Sequence, residues 1–276
     1  MTSAGSAEDA PPALPQPGAL DPALLQPLRV DIDEDRFVAI TALEVFARCP
    51  NWHFLEREAG RPQAAWFRHV EVPHVAPVDP AVVGDLFHRR VECHFGPSPT
   101  AWAIGADAEA RARVEALWPM FEAMPVFARI AAAAERLVEH DIVVVLPSGL
   151  LRGRVDLLLR EGASWEVIDF KTGTPAEDDE SIRARHRLQM LCYLLALRAR
   201  APEQGVWSAR LVYPAEGREV VVALREADAA QALGEIDALV RRFKRERGRL
   251  HPVYPNAACP PCPFERLPIC RRLARA

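Results

Sequence analysis

The stretch WEVIDFKTG, residues 165–173, puts an acid, one apolar residue and a lysine at the end of a run that reads as a buried strand. Alternate side chains of a strand share a face, so Asp169 and Lys171 point one way while Ile168 and Phe170 point the other. A second acid, Asp156, stands amid Val155, Leu157, Leu158 and Leu159 of the preceding run GLLRGRVDLLL. Burying a carboxylate there is costly unless it meets a metal or a partner. On neighbouring strands Asp156 and Asp169 could share one divalent cation, with the backbone carbonyl of Phe170 and a water completing an oxygen-rich shell suited to Mg2+. Such a cation activates water and neutralises charge on a phosphoryl oxygen, while a nearby ammonium steadies the transition state. That chemistry is phosphodiester hydrolysis. Taken alone, D-x-K is more often the ordinary ion pair of a strand end, so its meaning depends on company.

Company exists at helical spacing. In RHRLQMLCYLLAL, Gln189 and Tyr193 stand at i and i+4 on a helix otherwise full of leucine, two polar groups that need partners. In GDLFHRRVE, Gly84, His88 and Glu92 are also spaced by four, so a neutral His88 imidazole could reach the metal while Gly84 allows close approach. Glu139, placed before the first strand, is a further acid within possible reach of the metal. Separately, Cys259, Cys262 and Cys270 form C-x2-C-x7-C in a proline-rich segment where a bound metal would supply the order. Three thiolates need a fourth ligand, and Cys49 is the natural candidate, with His251 an alternative to Cys270. Four cysteines suit tetrahedral Zn2+ or a [4Fe–4S] cluster, and spacing does not decide between them.

In the order GDLFHRRVE, GRVD, DFKTG, QMLCY, the chain resembles the RecB-like branch of the PD-(D/E)XK nucleases, whose pattern is G-x-x-x-H, G-x-x-D, D-x-K-T-G and Q-x-x-x-Y. The likeness spans about residues 37–272. It implies an α/β fold, a central mixed sheet flanked by helices, with a helical N-terminal part and a C-terminal cysteine cluster. His88, Asp156 and Asp169 would join the Phe170 carbonyl as ligands of Mg2+ or Mn2+, Lys171 would be the catalytic lysine, and Gln189 and Tyr193 the supporting pair. The implied activity is a metal-dependent deoxyribonuclease, an exonuclease on single-stranded or end-bearing DNA in repair or recombination. The alternative is a catalytically silent DNA-binding or assembly module that partners a helicase or another repair subunit. The same family includes iron–sulfur members with one cysteine before the core and three after it, which favours a [4Fe–4S] cluster on Cys49, Cys259, Cys262 and Cys270 over structural Zn2+.

The elements that must position these residues follow from periodicity. Residues 1–35, rich in Ala and Pro, read as a flexible tail, and 36–276 as one nuclease domain whose two ends form the cluster. Helical spacing predicts one or two short helices around Cys49, a helix over 80–95 between Asp79-Pro80 and Gly96, and helices over 106–120 and 126–137. A meander of three strands precedes a helix over 181–200, two strands joined at AEG, and a helix over 227–247. Half of the 276 residues are hydrophobic and the net charge is −4, so no global basic field draws nucleic acid. Local patches either do so or are solvated helix ends that complement the dipole: VRRFKRERGR holds six basic residues against one acid, and RARHR opens the Gln189 helix. Trp52, Phe54 and Trp66 are candidates for base stacking or for the core. No apolar run reaches membrane-spanning length and no signal peptide opens the chain, so a cytoplasmic location is expected.

Overall fold

Strand β3 (Gly149–Glu161) is the axis of the molecule because it is paired along both edges. The computed structural model describes residues 37–58, 79–97, 101–162, 164–249 and 251. The expected tail over 1–35, Trp66, and Cys259, Cys262 and Cys270 lie outside them. Along one edge, β3 pairs antiparallel with β2 (Glu135–Leu146), from Glu135 opposite Arg160 to Leu146 opposite Gly149. Along the other edge it holds β1 (Phe37–Ala39), parallel, at Leu150 to Arg152, and further on β4 (Ser164–Phe170), antiparallel. Strand β4 pairs parallel with β5 (Val206–Tyr213), which pairs antiparallel with β6 (Arg218–Arg225). A parallel step needs a crossover, and helices α6 (Asp179–Arg185) and α7 (Arg187–Arg200) supply it.

The sheet is mixed and covered on both faces, as expected. Helices α1 (Ile40–Arg48), α7 and α8 (Glu226–Glu246) pack on one face over Val155, Leu158, Val167 and Leu211. Helices α3 (Pro80–Phe95), α4 (Ala108–Glu122) and α5 (Pro125–Ala132) cover the other, over Leu157, Leu159, Ile168 and Phe170. Leu157, Leu158 and Leu159 thus alternate between two cores, which is why β3 reads as a continuous apolar run. Gly153 admits α1: a Cβ there would come within 2.6 Å of Ile40 Cδ1. Helix α2 (Pro50–His53) and a π turn at Phe54–Glu58 follow Cys49, and Asn51 ties them to the far end of the chain. Its amide donates to the His251 carbonyl (2.9 Å) and its carbonyl oxygen accepts from the His251 N–H (2.6 Å).

Three elements differ from the sequence expectation. Strand β1 was not foreseen; three residues carry too little periodicity to signal a strand. The helix expected over 126–137 ends at Ala132, and Glu135 to Leu137 enter β2, where a ladder with β3 outweighs local helix propensity. The helix expected over 181–200 is two, broken at His186, whose φ of −98° and ψ of 8° depart from the helix. No described helix is long and apolar enough to cross a membrane.

Candidate active site

The end of β4 delivers Asp169 to the face covered by α7, in phase with Val167. Asp169 is 1% exposed. Gln189 reaches it from α7, donating from Nε2 to Oδ1 (3.1 Å) and also to the Tyr193 hydroxyl (2.8 Å). Tyr193 in turn donates to the Arg154 carbonyl on β3 (2.9 Å). The two polar residues on the leucine-rich helix therefore have partners: they lock the D-x-K segment to the G-x-x-D strand. Lys171 Nζ lies 2.6 Å from Asp169 Oδ2 and donates to Gln189 Oε1 at 3.3 Å. Among the described residues Asp169 Oδ2 has no aligned hydrogen-bond donor besides this ion pair.

Asp156 lies opposite Asp169, one step beyond the last rung between β3 and β4, Leu157 with Ile168. Its Oδ2 accepts from the Phe170 N–H (2.7 Å) and stands 3.5 Å from His88 Nε2. His88 Nε2 is also 3.2 Å from the Phe170 carbonyl, so α3 brings the imidazole to both strands. Gly84, one turn earlier, faces Thr172; a Cβ would sit 3.6 Å from Thr172 Oγ1, an ordinary contact. The close approach therefore does not require glycine.

Glu139 completes the group and corrects its expected place. It lies within β2 rather than before it, directly across from Asp156. The rung that would join them is missing from an otherwise regular ladder, and Glu139 has a φ of 49°, left-handed for a non-glycine residue. At this point the facing of both strands slips by one residue: Val155 and Leu157, two residues apart, enter opposite cores, as do Val138 and Ile142, four apart. The kink turns both carboxylates toward α3, and one ligand atom each from His88, Glu139 and Asp156 lie within 4.8 Å of one another.

Charge is concentrated here at a cost that a cation would relieve. Burial, and then the facing Asp169, push the Asp156 carboxyl up to about 7. Burial likewise raises Glu139, opposed by His88 and Arg154. For Lys171 burial works against the charge, but Asp169 and Asp156 outweigh it and hold the ammonium more basic than a free lysine. Oxygen donors with one imidazole, and a buried carboxylate oxygen lacking an aligned hydrogen bond, fit a hard divalent ion. Glu139→Gln is expected to weaken Mn2+ binding roughly tenfold or more, as titration calorimetry would read. Unchanged affinity would remove Glu139 from the ligand set.

Two neighbours of the site carried no sequence motif. Glu44 on α1 is held above the usual carboxylate range by burial, opposed first by Lys171. His186, at the α6–α7 break, is pushed down to about 4 by burial and by Lys171, and its Nε2 is 3.3 Å from the Tyr213 hydroxyl. An acid on the otherwise apolar Leu43–Phe46 side of α1 was the available signal for Glu44. The basic run of α8 is largely occupied: Arg241 pairs with Asp237, Arg242 with Glu246, and Lys244 donates to the Ser148 carbonyl (2.7 Å). Trp52 is half-buried and donates to Glu56, so it is not an open stacking surface.

The family model of the PD-(D/E)XK nuclease superfamily matches residues 38–271. The structure of a Eubacterium rectale protein described as a candidate exonuclease superposes with a TM-score of 0.52 at 12% identity, covering 88% of this chain and 90% of that one. That likeness is one of fold. An alkaline exonuclease from Laribacter hongkongensis matches at 12% identity over 60% of this chain and 94% of that one, with a TM-score of 0.25. No curated protein sequence matches the chain.

Proposed function

The chain belongs to the PD-(D/E)XK nuclease superfamily, and from that premise we propose that it is a divalent-metal-dependent deoxyribonuclease of the RecB-like branch. Its action is exonucleolytic, on single-stranded or end-bearing DNA in cytoplasmic repair or recombination. The observation that carries the reading is the convergence of His88, Glu139 and Asp156 on one point, beside the Asp169–Lys171–Gln189 chain. Mg2+ or Mn2+ held by His88, Asp156, Asp169, the Phe170 carbonyl and Glu139 would supply charge neutralisation at the phosphoryl group and a more acidic water.

The chain's own groups do the rest. Lys171 keeps its proton and presents a fixed positive charge to the attacking water and to a phosphoryl oxygen. Gln189 holds Asp169 from one side and Lys171 from the other, which fixes their spacing before substrate arrives. Tyr193 anchors Gln189; burial, then Asp169, keep its hydroxyl protonated as a donor. Water oxygen bonds to phosphorus, and the bond to one of the bridging oxygens breaks.

The cysteines belong to the same reading. Cys49 precedes Asn51 by two residues, and the Asn51–His251 clamp holds His251, eight residues before Cys259 in sequence, against the turn that bears Cys49. This supports a cluster, [4Fe–4S] by family likeness, that fastens the two ends of a single domain at residues 36–276.

The test is a product ladder from 5′- and 3′-labelled single and double strands with Mn2+. Stepwise shortening from an end is the expected result, and internal fragments without shortening would overturn the exonuclease assignment. DNA bound by metal-loaded protein without turnover would instead point to a silent assembly module.

A further inference from the structure

A groove of about 350 Å3 lies where α1, the α6–α7 junction and α8 meet. Its walls carry three arginines, Arg48 from α1, Arg185 from α6 and Arg187 from α7, against two acids, Glu44 and Glu235. Leu188 and Leu191 of α7, with Ile236 and Leu239 of α8, give it an apolar floor.

The arginines are not equally committed. Arg187 pairs with Glu235 at 2.7 Å, and Arg185 pairs with Glu177, outside the groove. Arg48 forms no ion pair within 4 Å among the described residues, although it is exposed at the end of α1. An Arg48 side chain left to solvent beside a second arginine with an exposed partner is a surface that an incoming phosphate can engage at little cost.

The groove is joined to the reacting groups through α7 and α1. Helix α7 lines it with Arg187, Leu188 and Leu191 and, through Gln189 on the adjoining face, reaches Asp169 and Lys171. Glu44 stands in the groove wall within the electrostatic influence of Lys171 and Asp169. His186, between the two arginines of the junction, bonds to the Tyr213 hydroxyl and is influenced by Lys171, Arg185 and Arg48. Basic walls above an apolar floor suit a nucleotide strand, whose phosphates take the arginines while sugar and base cover the leucines.

We infer that this groove seats the single strand next to the scissile phosphate, with Arg48 and Arg185 holding its backbone phosphates. The inference rests on the nuclease reading and adds the path of the substrate.

Fluorescence anisotropy of a labelled single-stranded oligonucleotide, with EDTA to prevent turnover, reads this directly across a salt series. Arg48→Gln/Arg185→Gln is expected to bind roughly tenfold more weakly, and its dependence of log affinity on log salt to be shallower by about 0.7 for each lost phosphate contact. Arg111→Gln, which removes an exposed charge paired to Glu115 on α4, should match the wild type in both readings. A double variant with wild-type affinity and slope, alongside wild type that binds, overturns the groove and leaves the nuclease reading standing. Wild type that binds no strand with or without added metal overturns both. Unfolding of the double variant is excluded by its melting curve, and Arg48→Gln alone provides the reading if the pair is unstable.

Discussion

Asp169→Asn is expected to lower DNA cleavage by roughly a thousandfold or more while the metal-free protein remains folded. Asparagine keeps the shape and can still accept from Gln189, the 3.1 Å contact that ties α7 to β4. It removes an oxygen donor suited to a hard cation. It also removes the anion 2.6 Å from Lys171, the first of the charges that hold that ammonium basic. Both losses fall on the transition state. Two effects on stability oppose each other: Lys171 loses its nearest counter-ion, and Asp156 loses the repulsion of Asp169 that adds to the burial raising its carboxyl. Asp169→Ala is the less informative variant: it loses the same counter-ion of Lys171 and also the oxygen that accepts from Gln189 and ties α7 to β4. Single-turnover cleavage and a melting curve on Asp169→Asn read the two effects separately. Cleavage within about tenfold of wild type would exclude Asp169 from the reacting groups.

Cys49→Ser is expected to lose iron, brown colour and several kcal/mol of apparent stability together, the last on the order of magnitude set by structural metal sites. The substitution is nearly isosteric. Cys49 lies half-buried between α1 and α2, its N–H bonded to the Val45 carbonyl (3.0 Å), and none of those backbone contacts depends on sulfur. An unligated thiol there would be replaced at a cost of about 0.5 kcal/mol or less. A large loss therefore reports ligation. The Asn51–His251 clamp two residues away should hold the turn in place in either case, so the loss would not arise from local unfolding alone. Metal analysis of the anaerobically purified protein separates iron from zinc. A variant with wild-type iron content and melting temperature would remove Cys49 from the cluster.

Much of the site could be read from residue spacing because its parts are short and regular. Helical steps of four put Gln189 beside Tyr193, and strand alternation put Asp169 in phase with Lys171; the structure shows both juxtapositions. The kink was hidden, since in GRVDLLL strict alternation places Val155 and Leu157 on one face whereas they enter different cores. Only pairing with β2 breaks that phase, and pairing is a long-range property. For the same reason Glu139 could be named as a nearby acid without its left-handed φ being foreseen. The break at His186 was invisible because RARHR contains no glycine or proline to mark it. The basic run of α8 carries its own counter-charges. Its i,i+4 acids, Asp237 before Arg241 and Glu246 after Arg242, were present in the sequence and are the partners the structure uses.

The proposed activity is hydrolysis of DNA by this cluster of carboxylates, imidazole and lysine with a divalent ion. It is tested most directly by incubating the wild-type protein with an end-labelled single strand in Mn2+, in Mn2+ plus excess EDTA, and in Mn2+ with Asp169→Asn substituted. Cleavage in the first reaction and in neither of the others is the predicted result. Cleavage that persists in EDTA or in Asp169→Asn would contradict the account, as would a first reaction without product from protein that holds both Mn2+ and the strand.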